Sequence, residues 1–209
     1  MRRLAVSVWL CKTKSTLFLS VESPMPVQIR AAPPADIPRI TVIYRHSVLT
    51  GTASYEIPPP DEAEMAHRME TIPSQSYPYI VAEDDDGSLL GYAYASAFRT
   101  RPAYRFLVED SIYLAEAAQG KGIGKALLTD LVAQCTALGF RQMIAVIGGA
   151  NPASIGVHRS LGFSHAGGIN GSGFKHETWL DTVFMQRALG EGNQTLPDEK
   201  SYPGSLFKG

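Results

Sequence analysis

The chain has 209 residues, of which 44% are hydrophobic and 19% charged. That is enough for one ordinary domain with its own core, and too apolar for a disordered segment. A formal net charge of −1 gives no basic field for nucleic acid or an anionic membrane, so neither is expected as a partner. Cys11 and Cys135 stand far apart and form neither a metal spacing nor a disulfide framework, which points to a reducing, cytoplasmic setting.

The opening "MRRLAVSVWLCKTKSTLFLS" has basic residues before an apolar run, but Lys12 and Lys14 break the run early. No stretch reaches the roughly 18 apolar residues of a membrane span. Met25 opens a more ordinary start, so residues 1–26 read as a dispensable extension ahead of a domain over residues 27–189. Val27 to Ala31 reads as a first strand. Ile37, Ile40, Ile43, Tyr44 and Val48 repeat at a helical period between Asp36 and Leu49. "SYEIPPP" is extended, and a second helix follows over Asp61–Ile72, with acids Asp61, Glu62 and Glu64 at its start. Tyr79–Glu83 and Ser88–Phe98 are strands joined by an acidic turn, and Arg105–Leu114 is a further strand.

The clearest helix spans Gly122–Leu138, with Ile123, Leu127, Leu131 and Leu138 on one stripe and Gly139 as the stop. Gln142–Ile147 is a buried strand. Asn151 caps a short helix that begins at Pro152 and ends at Gly162. Phe163–Ile169 and Glu177–Arg187 are the last strands. The polar, turn-rich tail over residues 190–209 is expected to be loose. The predicted order is β-α-α-β-β-β-α-β-α-β-β, with no internal repeat.

Gly120, Gly122 and Gly124 mark the passage from strand to helix in "YLAEAAQGKGIGKALL". Glycine lets a ligand approach the backbone, and a helix start offers free N–H groups to an anion. A P-loop is excluded because Ala126 stands where Ser or Thr must follow Lys125. A dinucleotide fingerprint fails because position 127 is Leu, and the next strand, "RQMIAVIGG", lacks an acid to hold a ribose. The pattern that remains is Q-x-x-G-x-G, met by Gln119, Gly122 and Gly124.

This loop resembles the acetyl-CoA pyrophosphate loop of the GNAT N-acetyltransferases, and the element order resembles theirs over roughly residues 27–188. The stretches "FRTRPAYRFLVEDSIYL", "QGKGIGKALL", "AVIGGANPASIGVHRSLGF" and "GFKHETWLDTVFMQ" more closely resemble the phosphinothricin and methionine-sulfoximine acetyltransferases. The N-terminal half matches chiefly in "TASYEIPP". The resemblance implies an α/β fold, with a mixed, mostly antiparallel sheet flanked by helices. It implies that backbone N–H groups of Gln119, Gly120, Lys121, Gly122, Ile123 and Gly124 hold the pyrophosphate of acetyl-CoA. Ile112, Tyr113 and Leu114 would line its pantetheine arm, with Asn151 and Ser154 on the facing helix. It also implies a homodimer.

Amide formation from a thioester needs a base for the amine. Period 2 puts Glu109 in "LVEDSIYL" on the face of Leu107, Ser111 and Tyr113, and Asp110 on the opposite face. An acid in mid-strand is costly unless bonded or used. Glu109 is therefore the candidate base, the role this place has in the resembling family, with Asp110 as rival. Asn151, Ser154 and His158 share one helix face. Many GNAT enzymes have Tyr at the place of His158, donating a proton to the departing thiolate. His158 is thus either a second catalytic group or a core or subunit-contact histidine. In "FRTRPAY", Arg99 and Arg101, with Phe98 and Thr100, suit an anionic or oxidised head group; alternatively they form a solvated loop. Tyr55 is a further substrate candidate. His165 and His176 lack companions for a metal, so none is expected. The expected function is acetyl transfer from acetyl-CoA to a small amino-acid-like amine. The alternatives are another amine, such as an antibiotic or a protein N-terminus, or an acyl-CoA sensor without turnover.

Overall fold

The computed structural model describes residues 27–198, 200 and 202–207. The expectation for residues 1–26 lies outside the described residues, save that Val27 follows them directly. The elements follow the predicted order: β1 (Gln28–Ala31), α1 (Ile37–Thr50), α2 (Glu62–Ser74), β2 (Tyr79–Glu83), β3 (Leu89–Ala97), β4 (Leu107–Leu114), α3 (Ile123–Ala137), β5 (Gln142–Gly148), α4 (Pro152–Ser160), β6 (Ser164–Lys175) and β7 (Thr178–Ala188). The strands form one sheet in the order β1-β2-β3-β4-β5-β7-β6. Every neighbouring pair is antiparallel except β4 and β5.

Alternation along the strands divides the core between the two faces. Ile80, Ala82, Ala93, Ala95 and Val108 pack with Leu127, Leu128, Leu131 and Cys135 of α3. Tyr79, Val81 and Tyr92 face the other way, against Ile40, Tyr44 and Val48 of α1 and Met65 and Met69 of α2. The helices bury the stripes their sequence periods supply, except that Leu138, expected on the α3 stripe, follows the last helical residue as its C-cap and is exposed.

The parallel ladder between β4 and β5 is short. It runs from Leu107 opposite Gln142 to Asp110 opposite Ala145. Beyond it, β4 continues to Leu114 on the β3 side, and β5 continues to Gly148 on the β7 side. The sheet opens there into a fork, with Glu109 and Asp110 at its apex.

Three expectations change. Strand β6 runs through "NGSGFK" to Lys175 rather than stopping at Ile169, because β7 pairs with it as far as Lys175 opposite Thr178. The hairpin turns on His176 (φ 51°) and Glu177 (φ 57°), the left-handed pair that a two-residue turn requires. Strand β4 begins at Leu107, because Pro102–Tyr104 forms a single 3-10 turn. Among the described residues of the tail expected to be loose, Tyr202 and Ser205 make defined contacts. Tyr202 is 6% exposed, its hydroxyl lies 3.2 Å from that of Tyr77, and its ring meets Phe106 and Phe140 edge-on. Ser205 N–H donates to the Gln75 carbonyl at 3.1 Å.

Candidate active site

The two helices beside the fork begin differently. At α4, Asn151 Oδ1 accepts from the N–H groups of Ala153 (3.0 Å) and Ser154 (3.1 Å). These bonds satisfy that helix end internally. At α3 the N-cap is Gly122, and no side chain caps it. Gly120 (φ 73°) and Gly122 (φ 83°) sit in the left-handed region. A Cβ built on either meets no protein atom within 4 Å, so a ligand has room beside the loop, and the first-turn N–H groups of α3, which lack a side-chain cap, and the positive end of the helix dipole suit an anion there. Gln119, Gly120, Lys121 and Gly122 are exposed there, while Ile123 and Gly124 turn into the protein. A Cβ on Gly124 would lie 3.4 Å from Leu114 Cδ1, so the loop abuts the end of β4. This cradle fits the pyrophosphate of acetyl-CoA.

Ile112, Tyr113 and Leu114 pair with Ala93, Tyr92 and Gly91 of β3 on one edge, and their other edge opens on the fork. That edge can take the amides of an extended arm as a further strand would. Asn151 and Ser154 stand at the start of α4, beyond the other prong.

Glu109 lies opposite Ser96 of β3 and is half-buried. Burial pushes its carboxyl up to about 7, the charge of Asp110 adds to the rise, and Arg99 opposes it. A carboxylate of that affinity is poised to take a proton near neutral pH. On the same face Tyr79, Tyr92, Tyr94 and Tyr113 form a stack, and Tyr44 of α1 meets Tyr113 edge-on. The alternation in "GYAYA" was its visible signal. Of the predicted substrate group, Arg99 is the residue whose charge reaches Glu109. Its guanidinium lies 4.2 Å from the centroid of the Phe98 ring. Thr100 and Arg101 are exposed.

Tyr55 lies in the loop between α1 and α2. Its hydroxyl lies 2.8 Å from Thr182 Oγ1 and 3.2 Å from the Asp181 carbonyl. Its ring lies against Gly148 and Gly173, where a Cβ would come within 2.9 Å and 2.7 Å of it. Tyr55 thus latches the α1–α2 loop to the β6–β7 hairpin. Lys175 reinforces the latch: its Nζ donates to the Ser54 carbonyl at 2.8 Å.

His158 was expected either as a second catalytic group or as a core or subunit-contact histidine. Its Nδ1 lies 2.7 Å from the Ser154 carbonyl oxygen and its Nε2 lies 2.9 Å from Asp110 Oδ2. Both nitrogens are committed inside the protein. Spacing within α4 gave no sign of this pairing, since Asp110 lies on another element.

Among the described residues, no helix is long and apolar enough to cross a membrane, and no group of three His, Cys, Asp or Glu gathers to hold a metal. Residues 38–163 match the model of the acetyltransferase (GNAT) family. The chain is 49% identical over 171 residues to a phosphinothricin N-acetyltransferase of Alcaligenes faecalis, covering 81% of this chain and 86% of that one. It is 40% identical over 165 residues to an L-methionine sulfoximine/L-methionine sulfone acetyltransferase of Pseudomonas aeruginosa, covering 79% and 96%. A solved phosphinothricin acetyltransferase from Sinorhizobium meliloti, in complex with AcCoA, superposes with a TM-score of 0.86 at 62% identity, covering 88% of this chain and 100% of that one. The open cradle at α3, the forked sheet and these likenesses agree: the chain belongs to the GNAT acetyltransferase family.

Proposed function

We propose that this protein is an N-acetyltransferase that moves acetyl from acetyl-CoA to the amino group of a small amino-acid-like substrate such as phosphinothricin or methionine sulfoximine or sulfone. The observation that carries the reading is Glu109, half-buried at the apex of the fork with its carboxyl pushed up to about 7. Acetyl-CoA lies with its pyrophosphate on the backbone of Gln119–Gly124 and its arm in the fork. Glu109 takes a proton from the substrate ammonium, directly or through a water. The freed lone pair attacks the thioester carbonyl and a C–N bond forms; the nitrogen then gives its second proton to solvent, and the C–S bond breaks with its electrons on sulfur. Arg99, with Arg101 and Thr100 beside it, receives the substrate's anionic or oxidised head group. The cytoplasm is the place of work that goes with acetyl-CoA as donor.

The active form is a homodimer. An apolar patch of Ile57, Phe174 and Trp179 supports this reading: all three are exposed, and the rings of Phe174 and Trp179 lie 5.2 Å apart. Light scattering on the purified protein should give twice the chain mass; the chain mass itself would remove the dimer.

Thiol release from acetyl-CoA, measured over a panel of amines, tests the main reading. Phosphinothricin or methionine sulfoximine should give the highest kcat/KM. Preference for an antibiotic or a peptide N-terminus would replace the substrate class. Acetyl-CoA binding with no turnover on any amine would make the protein a sensor.

A further inference from the structure

The acetyl transfer proposed above has no use for the most buried polar pair near the site. His158 is 4% exposed and Asp110 7%. The Ser154 carbonyl, 2.7 Å from Nδ1, can only accept, so Nδ1 carries a hydrogen. Asp110 Oδ2, 2.9 Å from Nε2, belongs to a carboxyl group facing the second nitrogen. An imidazolium satisfies both acceptors, because both its nitrogens donate. Phe163 closes one side of the ring edge-on, with centroids 5.0 Å apart.

We propose that His158 is a positioning residue: with Asp110 it forms a buried cation–carboxylate strut tying α4 to β4 at the apex of the fork, and it is not the proton donor to the departing sulfur. The strut stands on geometry alone; the statement about sulfur rests on the acetyl-transfer reading. Residues 149–151 carry the chain from β5 into α4, so the strut fixes the far side of that helix to the other prong. It thereby sets where Asn151 and Ser154 stand relative to the open edge at Ile112–Leu114. The thiolate leaves with the C–S electron pair and takes its proton from water.

The strut also reaches Glu109 electrostatically. Asp110 is faced by His158 from α4 and by Cys135 from α3, with Glu109 next to it on β4. Glu109 in turn is faced by Asp110, by Arg99 and by Tyr94 of β3. Burial works against a charge on His158, yet the bond and charge of Asp110 outweigh it and raise the imidazole above its usual value. The same carboxylate raises Glu109.

The deciding measurement is long-range ¹H–¹⁵N NMR of the histidine rings in the intact wild-type protein, which needs no turnover. His158 should show two protonated ring nitrogens at pH 7.5 and above, and Asp110→Asn should return it to a neutral ring. A bare ring nitrogen on wild-type His158 at that pH would overturn the strut. Kinetics give the second arm. His158→Gln should raise KM for acetyl-CoA several-fold and keep the alkaline limb of the pH–rate profile. Asp110→Asn should move the acidic limb to lower pH. If His158→Gln instead erases the alkaline limb and leaves KM for acetyl-CoA unchanged, His158 is the sulfur's acid and the proposal fails. Absence of turnover in wild type, with the imidazolium signature present, would sink the acetyl-transfer reading and leave the strut standing.

Discussion

Glu109 and Asp110 are adjacent in sequence and opposite in circumstance. Asp110 points to the α3–α4 face, is the more buried of the two, and has a cationic partner 2.9 Å away. Glu109 points to the α1–α2 face, is only half-buried, and has a carboxyl pushed up to about 7, with Arg99 opposing the rise. A half-buried carboxylate without a close hydrogen-bonded counter-ion takes up a proton more readily than a free one. On the proposed reading, one strand carries a structural acid and a chemical one, separated by the alternation of the pleat.

The sharpest way to break this contrast is kinetic. Glu109→Gln keeps shape and removes basicity, so turnover at neutral pH should fall about 10²- to 10⁴-fold. Higher pH should restore part of it, because more of the amine is already neutral. Near-normal turnover in a pH–rate profile of this variant would remove Glu109 as base.

Stability should separate the neighbours by sign. Asp110→Asn strips the charge from the bond to His158, and the expected loss is about 2 kcal/mol, the range for hydrogen bonds to charged groups. Because His158 is raised from 6.5, that loss is full below about pH 6.5 and shrinks as pH rises through the raised value. Urea melts at pH 6 and pH 9 check it. Glu109→Gln should do the reverse. A carboxyl raised from 4.5 to about 7 contributes stability below pH 4.5 and loses it as pH rises through 7. At pH 8 the glutamine variant should be more stable by about 1–2 kcal/mol, after discounting for the solvent that reaches a half-buried group. The gain should vanish at pH 4. A variant that is less stable than wild type at pH 8 would show that Glu109 is well accommodated.

The smallest effect should come from the latch. Tyr55→Phe deletes a hydroxyl bonded to Thr182 and the Asp181 carbonyl and should cost about 1 kcal/mol in a thermal melt. KM for the amine should shift while acetyl-CoA affinity holds, since the α1–α2 loop and not the α3 cradle is disturbed. An equal loss in acetyl-CoA affinity by calorimetry would show that the latch governs both halves.

Local periodicity made the element order legible, because α1 and α3 carry their core stripe at 3.6 and β3 and β4 alternate cleanly. The glycine loop was legible because spacing alone distinguishes it from its rivals. What escaped was pairing at a distance. Asp110 and His158 meet over 48 positions, Tyr55 and Thr182 over 127, and Tyr77 and Tyr202 over 125. Each residue has an ordinary reading in its own window, and only the fold brings the partners together. The contact of Tyr202 in the tail escaped for the same reason: polar, turn-rich composition does not reveal that this tyrosine packs on Tyr77, Phe106 and Phe140.

The place of β7 in the sheet has a consequence for biosynthesis. It lies between β5 and β6 although it follows both in the chain, so one edge of β5 lacks its partner until β7 has left the ribosome. The first prong of the fork, β4, can settle on β3 early through short-range contacts. The second prong rests on a parallel, long-range pairing with β4 and on a strand made last, both slow to form. A nascent chain halted before Thr178 would own the complete glycine loop and yet expose an unpaired apolar edge of the "MIAVI" strand, a target for chaperones and for aggregation. Competence to grip the acetyl donor therefore arrives late, and all at once, when translation passes the final strand.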